Sequence, residues 1–234
     1  MELSFSPQKI LDYHSTIKKL FTDYFSSLGY QEHTPVPIIS LNDRSVCFTG
    51  STTNVFKPYI INNSLVPPNG FFLVQRCLRT QNAASFFDDK SFPEWGSYFT
   101  EIGLITLPDK LSKIIEDSLK YLASILGIES ERIILRVSSQ DKDLLECVKN
   151  TNLVIEIDGL PLRYYRHKYG LEMFLGRNFN FGLKNVQTGI IKDIGNIVVA
   201  EKENSKIAIE MGFGVSTLLA RYYNLTNSIE ASKK

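Results

Sequence analysis

Apolar residues recur at the spacing of one helix face in two long stretches of the chain. The first stretch covers residues 8–28, and Gly29 after it suits a helix end. The second covers residues 110–126 and is also followed by a glycine. The sequence therefore predicts two long amphipathic helices. Two shorter helices are predicted at 141–150 and 215–223.

Predicted strands account for most of the remaining pattern. Apolar or alternating runs predict strands at 45–49, 70–79, 97–107, 133–137, 195–201 and 206–211. The dipeptide Asp158-Gly159 predicts a hairpin between strands at 153–157 and 162–165. Because the strands mostly follow one another, we expect an α+β fold with a largely antiparallel sheet flanked by helices.

Four other stretches are less regular. Two prolines restrict residues 31–39 to an edge strand. Residues 80–95 lack periodicity and are predicted as a loop. Residues 174–189 are rich in glycine and asparagine and match neither the helix nor the strand pattern. The polar segment 224–234 is expected to fray. The length of 234 residues fits a single domain, 1–234, with an ordinary hydrophobic content of 43%.

Charge is almost balanced in this chain. It has 26 basic and 25 acidic residues, which gives a formal net charge of +1. Such a balance produces no overall field that would attract nucleic acid or an anionic membrane. The predicted loop at 80–95 also contains Asp88, Asp89 and Glu94, which suit a phosphate backbone poorly.

Cysteine usage and the N-terminus bear on the compartment. Cys47, Cys77 and Cys147 are isolated, without a CxxC pair, which is typical of a reducing compartment. The N-terminus lacks the features of a signal peptide, and no apolar stretch reaches the roughly 18 residues that span a bilayer. We expect a cytoplasmic protein without membrane contact. The three histidines are scattered, so no zinc site is expected.

An ordered set of short segments resembles one enzyme family. The segment FTGSTTNVFK at 48–57 is similar to FTNAGMNQFK of alanyl-tRNA synthetases, and QRCLR at 75–79 is similar to their QRCVR, which carries the motif 2 arginine. Residues 97–109 resemble the returning motif 2 strand, 193–198 resemble EIWNIVF, and 210–214 resemble the start of motif 3. Because order and spacing agree, the chain resembles a class II aminoacyl-tRNA synthetase catalytic core, in particular that of alanyl-tRNA synthetase.

The resemblance implies ATP-dependent activation of an amino acid. In that reaction a carboxylate attacks the α-phosphate of ATP and pyrophosphate leaves, so positioning and charge stabilisation carry most of the catalysis. ATP and Mg²⁺ are the implied cosubstrate and metal. The helix at 8–28 falls where motif 1 belongs. Class II cores usually pair through that motif, so the resemblance implies a homodimer.

Arg79 is the implied catalytic residue. A guanidinium can hold the α-phosphate and the attacking carboxylate in one fork, although a surface charge is the ordinary role of an arginine at a strand end. Asp193 is expected near Mg²⁺ and ATP and Asn196 near the amino acid, with plain turn chemistry as the alternative. The implied ATP-binding residues are Arg79, Phe99, Asp193, Gly212, Gly214 and Arg221.

Glu210 and Asn54 complete the implied amino-acid site. The family has an aspartate where this chain has Glu210, and that carboxylate is expected to hold the substrate ammonium. The extra methylene shifts the carboxylate by roughly 1.5 Å, which suits a different or smaller amino acid or another binding pose. Asn54 is expected to face the same site.

Motif 3 departs from the family pattern at one position. Thr217 replaces the arginine that contacts the γ-phosphate of ATP. Arg221 lies one helical turn later on the same face, so its side chain could reach back toward the phosphate. The alternative is that Arg221 is a solvated charge and the γ-phosphate contact is lost.

The sequence leaves three functions open. The first is adenylation of an alanine-like or glycine-like amino acid with transfer to a non-tRNA acceptor, such as a carrier protein or a small amine. The second is a non-catalytic paralogue that binds amino acid, nucleotide or a partner protein. The third is charging of tRNA, which the balanced charge and the acidic loop disfavour.

Overall fold

The computed structural model describes residues 6–41, 43, 45–80, 96–170, 173–225 and 227–232. Within them, five α-helices surround one mixed sheet. The predicted loop at 80–95, with its acidic residues, lies almost entirely outside the described part of the chain. No helix in the described ranges has the length and apolar character needed to cross a membrane.

The longest helix is α1, Pro7–Ser27. Its start follows from local chemistry, because the side chain of Ser6 accepts a hydrogen bond from the amide of Lys9 and proline stands at the first helical position. The apolar stripe that the sequence predicts is the buried face of this helix. The other helices are α2 Thr52–Ile61, α3 Leu111–Lys120, α4 Lys142–Lys149 and α5 Val215–Tyr222.

The sheet has the order β1-β2-β3-β9-β8-β7-β4-β5, with β6 also paired to β7. The pairs β1–β2 and β4–β5 are parallel and the others are antiparallel, as expected for this fold class. The strand bounds are β1 Gln31–Glu32, β2 Phe71–Leu78, β3 Tyr98–Thr106, β4 Ile133–Val137, β5 Val154–Ile157, β6 Arg166–Lys168, β7 Phe174–Lys184, β8 Ile191–Lys202 and β9 Ser205–Gly214.

The two faces of the sheet differ sharply in polarity. Partner residues across a ladder share a face, and so do residues two apart along a strand. One face presents only apolar side chains at its centre and packs against α1, α3 and α5. The opposite face is covered by α2 at one end, where Val55, Phe56 and Ile60 pack on the sheet. Beyond α2 that second face becomes polar, and the candidate site lies there.

Helix α2 was not predicted, and the strand expected at 45–49 is wrong. Only an isolated bridge between Ile39 and Phe48 forms there. The β-branched residues of 52–61 and the internal Pro58 disguise the helix, because both disfavour helix in isolation. The signal was Ser51, whose side chain forms a capping box with Asn54.

The hairpin predicted at Asp158-Gly159 is also wrong. β5 pairs in parallel with β4, and Leu162–Tyr165 is a 3₁₀ turn. The amide of Asp158 donates to the carbonyl of Val137, and its carboxylate accepts from the amide of Ser139. Asp158 therefore ties β5 to the end of β4 instead of closing a hairpin.

The end of the chain is ordered rather than frayed over 227–232. Residues Ser228–Ala231 form a 3₁₀ turn, and Ser228 and Ala231 are both buried. Nε2 of His14 in α1 lies 2.7 Å from the carbonyl oxygen of Ala231. The polar composition concealed this docking because the contacts use backbone atoms and small side chains.

Candidate active site

The polar face of the sheet carries an alternating set of charged and amide side chains. In β7, Asn178 and Asn180 point to this face while Phe179 and Phe181 fill the core on the other. In β3 the same face carries Glu101, which lies opposite Gln75 of β2 and Gly214 of β9. A polar side chain every second residue is how a strand presents a site above a closed core.

Six of the nine predicted site residues line one cavity of about 220 Å³, here called cavity A. Its floor is β3, β9, β8 and β7, and its rim includes the first turn of α5 through Ser216 and Thr217. The six predicted residues are Arg79, Phe99, Asp193, Asn196, Gly212 and Gly214. The structure therefore brings together segments that lie more than a hundred positions apart.

Arg79 follows β2 and is held at two points. Its Nε donates to the carbonyl of Gly50 at 2.7 Å, and its guanidinium carbon lies 4.9 Å from the ring centre of Phe99. Arg79 also lines a second, larger cavity of about 600 Å³, here called cavity B. It thus lies between the two cavities and lines both of them.

Glu101 is the acidic neighbour of Arg79 in cavity A, and it was not predicted from the sequence. Its carboxylate accepts from the amide of Thr52 at 3.0 Å. Burial raises the pKa of Glu101, and the charge of Arg79 opposes that rise. The residues SYFTEIG were matched to the family as a segment, so the alternation along this strand was the signal that could have identified Glu101.

Two glycines, Gly195 on β8 and Gly212 on β9, contribute backbone to the lining of cavity A. A Cβ on Gly195 would lie 2.2 Å from the carbonyl oxygen of Gly212, so only glycine fits at this point of the β8–β9 pair. A Cβ on Gly212 would lie 2.8 Å from Oε1 of Glu101. Because Gly212 has no side chain, a flat ligand can approach the main chain closely there.

Asp193 is fixed by protein partners. Its Oδ1 accepts from Nη1 of Arg136 at 2.9 Å, and its Oδ2 accepts from Nδ2 of Asn180 at 3.1 Å. Arg136 pairs with Glu156 as well, which forms a chain of polar contacts across β5, β4, β7 and β8. Sequence reasoning missed Arg136 and Asn180, which become neighbours of Asp193 only through the sheet order.

These partners do not fit a Mg²⁺ site at Asp193. A guanidinium already lies where a cation would bind, and burial raises the pKa of Asp193 despite Arg136. The described residues hold no group of three or more His, Cys, Asp or Glu side chains arranged to bind a metal. The predicted Mg²⁺ role of Asp193 is therefore not supported by the geometry.

Asn196 is the one amide in cavity A whose side chain makes no hydrogen bond to the described residues. It lies opposite Asn180 on β7 and Gly212 on β9. Its donor and acceptor are therefore available to a ligand, which agrees with the expected contact to substrate.

Glu210 lies on β9 beneath cavity B and is only 4% exposed. Its Oε2 accepts from the hydroxyls of Thr53 at 3.2 Å and Tyr169 at 3.3 Å, and both of these residues line cavity B. Its Oε1 has no hydrogen-bond partner among the described residues. Burial raises the pKa of Glu210 to about 8, although Thr53 and Tyr169 lower it. A buried carboxyl with one unpaired oxygen is suited to bind a cation.

Asn54 lines cavity B, and its side chain has protein partners there. Its Oδ1 accepts from the amides of Gly50 and Ser51, and its Nδ2 donates to Asp43. Asn54 therefore shapes the turn whose carbonyl at Gly50 holds Arg79. Its predicted contact with the amino acid stays a prediction.

Arg221 does not reach cavity A. It is 6% exposed within α5, and its carbonyl accepts from Nη2 of Arg132. Among the described residues that line cavity A, Arg79 is the only cation, and Thr217 occupies the start of α5. The geometry therefore does not support the expectation that Arg221 contacts the γ-phosphate in place of the motif 3 arginine.

The fold is that of a class II aminoacyl-tRNA synthetase catalytic domain. The structure aligns with pyrrolysyl-tRNA synthetase from Desulfitobacterium hafniense at a TM-score of 0.57 and 9% identity, covering 94% of this chain and 73% of that one. It aligns with Entamoeba histolytica asparaginyl-tRNA synthetase, solved with asparaginyl-adenylate, at a TM-score of 0.61 and 10% identity, covering 97% and 66%. The predicted fold class is confirmed.

The chain is related in sequence to alanine–tRNA ligases. It is 21% identical over 131 residues to alanine–tRNA ligase 1 of Lachnoclostridium phytofermentans, covering 56% of this chain and 15% of that protein. It is 29% identical over 162 residues to the Buchnera aphidicola alanine–tRNA ligase, covering 65% and 18%. The predicted resemblance is confirmed, and the chain spans less than a fifth of these relatives. No protein-family model matches the chain.

Proposed function

We propose that this protein activates a small amino acid with ATP as an aminoacyl-adenylate and passes the aminoacyl group to an acceptor other than tRNA. The relatives are ligases by name, which supports a ligase activity. The observation that carries the proposal is Arg79, which stands between cavity A and cavity B. A carboxylate from one side and an α-phosphate from the other would meet at its guanidinium.

Cavity A suits the nucleotide. The ring of Phe99 and the bare backbone at Gly212 and Gly214 offer flat surfaces to adenine and ribose. Asn196 would supply a hydrogen bond near the reacting carboxylate. Mg²⁺ would arrive on the phosphates of ATP, which can supply most of its oxygen ligands.

Cavity B suits the amino acid. Oε1 of Glu210 would accept a hydrogen bond from the substrate ammonium, and pairing with that cation would draw the proton off the carboxyl. Thr53 and Tyr169 would hold the carboxylate in place through their hydrogen bonds to Oε2. The small substrate is favoured because the glutamate reaches further into the cavity than an aspartate would.

The proposal extends to the acceptor and the setting. The net charge of +1 supports an acceptor other than a polyanionic tRNA, such as a carrier protein or a small amine. All three cysteines are free thiols, which supports a cytoplasmic location. We further propose a homodimer, which size-exclusion chromatography with light scattering would test.

The test is amino-acid-dependent exchange of pyrophosphate into ATP, measured with each common amino acid. We expect exchange with alanine, glycine or another small amino acid and none with large ones. Exchange without any amino-acid dependence, or none under conditions where ATP and amino acid both bind by calorimetry, would contradict adenylation.

A second function is favoured by one observation. Thr217 stands at the cavity where the family has an arginine, and Arg79 is the only cation among the described residues that line cavity A. Loss of this arginine is what we would expect in a paralogue that binds amino acid or nucleotide without turnover. Binding by calorimetry in the absence of exchange is the result that distinguishes it from the enzyme.

A further inference from the structure

The first turn of α5 lies at the rim of cavity A, and no side chain caps it. The residue before the helix is Gly214, which has no side chain to accept from the first amides, and the first turn contains no acidic residue. Amides at the start of a helix have no partner within it and carry a partial positive charge. Because Gly214, Ser216 and Thr217 line cavity A, this end of the helix borders the space proposed for the nucleotide.

Ser216 has a buried hydroxyl without a protein partner. The residue lines cavity A and is only 4% exposed, and its hydroxyl makes no hydrogen bond to the residues that the structure describes. A serine within a helix often bonds to the carbonyl four residues earlier, and Ser118 in α3 donates to that of Ile114 at 2.6 Å. Ser216 does not do so. Burial of an unpaired hydroxyl is unfavourable, and a ligand in cavity A would relieve this cost.

Thr217 adds a second hydroxyl at the same place. It also lines cavity A, and its Oγ1 lies 3.4 Å from the position that a Cβ on Gly214 would occupy. The start of α5 therefore combines two hydroxyls with the free amides of a helix N-terminus. Such a set of donors is suited to bind an anion, and a phosphate group in particular.

The carboxylates that line cavity A are directed to other partners. Glu101 accepts from the amide of Thr52, and its Oε1 lies 2.8 Å from the position of a Cβ on Gly212. Asp193 is paired with Arg136. None of these contacts involves α5, so the partial positive charge of its first turn is not neutralised by these two carboxylates.

The ring of Phe99 links the start of α5 to Arg79. The guanidinium carbon of Arg79 lies 4.9 Å from the ring centre, and a Cβ on Gly214 would lie 4.0 Å from Cδ2 of the ring. One nucleotide can therefore contact both Arg79 and the start of α5. A nucleoside monophosphate has a single phosphate to place, whereas a triphosphate can occupy both positions.

We propose that the first turn of α5, with the hydroxyls of Ser216 and Thr217, binds the β- and γ-phosphates of ATP. This inference rests on the proposed function. In the activation step an oxygen of the substrate carboxylate bonds to the α-phosphorus, the bond to the bridging oxygen breaks, and pyrophosphate leaves with the electron pair. The amides and hydroxyls stabilise the charge on that leaving group. Uncharged donors thus replace the arginine that the family has at Thr217.

Calorimetric titration with ATP and with AMP, each with Mg²⁺, tests this site without requiring turnover. Only ATP has β- and γ-phosphates, so we expect Ser216→Ala to weaken ATP binding by about tenfold and to leave AMP binding within about twofold of wild type. Thr217→Val keeps the shape of the side chain and should act in the same direction. Ser124→Ala, at an exposed serine outside cavities A and B, is the matched control and should change neither affinity.

Three results would overturn this phosphate site. They are unchanged ATP binding in Ser216→Ala, an equal loss for ATP and AMP, and a wild-type protein that binds AMP at least as tightly as ATP. Thermal melts confirm folding, and Thr217→Val carries the test alone if Ser216→Ala is destabilised. Absence of pyrophosphate exchange in the wild-type protein would instead reject the proposed function, and the comparison of ATP with AMP would still decide this inference.

Discussion

At the scale of single residues, the hydrogen-bond partners of a side chain determine whether it can also bind a ligand. Glu210 and Asp193 are both carboxylates on the polar face of the sheet. Both oxygens of Asp193 accept hydrogen bonds, whereas Oε1 of Glu210 accepts none from the described residues. Their residue types could be predicted from the sequence, whereas their partners could not. Arg136, which donates a hydrogen bond to Asp193, lies 57 positions away in the chain.

The raised pKa of Glu210 predicts how stability depends on pH. Its pKa is about 8 in the folded protein against an ordinary value of 4.5 for a glutamate, so folding takes up a proton between these values. Stability should therefore fall as pH rises from about 5 to 8. Glu210→Gln cannot ionise and should gain stability relative to wild type across this window, by at most about 1.4 kcal/mol per pH unit.

Urea unfolding at pH 5, 6, 7 and 8 checks this expectation. Glu203→Gln, an exposed glutamate in the turn between β8 and β9, is the control and should follow the wild-type curve. A constant difference between Glu210→Gln and wild type at all four pH values would mean that Glu210 titrates normally.

At the scale of elements, regular periodicity was predictive and local exceptions were not. The sequence predicted β2, β3, β4 and the long helix α1 close to their observed bounds. It missed β7, because its glycines and asparagines disguise an alternation of Asn with Phe. It missed α2 because β-branched residues and Pro58 conceal a helix whose capping and tertiary packing stabilise it.

The glycines of β8 and β9 predict two contrasting variants. Gly195→Ala places a Cβ 2.2 Å from the carbonyl oxygen of Gly212, so we expect a loss of about 3 kcal/mol in stability. Gly214→Ala meets its nearest atom, Oγ1 of Thr217, at 3.4 Å and should fold almost normally. Because Gly214 lines cavity A, this variant should still weaken ATP binding.

Thermal melts and nucleotide calorimetry on both variants check this pair. Equal stability of the two alanine variants would contradict the close packing of Gly195 against β9. Unchanged ATP affinity in Gly214→Ala would show that the nucleotide does not rest on that backbone.

At the scale of the whole molecule, the sheet order assembles the site. The order β3-β9-β8-β7 brings residues from 99 to 214 into one cavity, and hydrophobic spacing along the chain cannot reveal such an order. The resemblance to the synthetase family supplied it, which is why Arg79, Asn196 and Gly212 were predicted together. Arg136 and Asn180 lie outside the matched motifs, so neither the resemblance nor the hydrophobic spacing could predict them.

The chain of polar contacts across β5, β4, β7 and β8 predicts that Arg136 stabilises the polar face of the sheet. Arg136→Ala would leave Asp193 and Glu156 without their cation. The expected cost is about 2 kcal/mol, less than for a fully buried pair, because these carboxylates are 37% and 34% exposed. Arg163→Ala, at an exposed arginine on the ring of Tyr164, should change stability by under about 0.5 kcal/mol.

Chemical unfolding of the two variants measures this difference. If Arg136→Ala loses no more unfolding free energy than Arg163→Ala, the chain of polar contacts contributes nothing to stability.

The proposed function depends most on Arg79, which would join two half-sites into one adenylating centre. The most direct measurement is pyrophosphate exchange by Arg79→Ala beside Arg76→Ala, an exposed arginine three residues earlier in β2. We expect Arg79→Ala to lower exchange by about 10²–10³-fold while Arg76→Ala stays near wild type. Equal exchange by the two variants, with both folded, would contradict this role of Arg79.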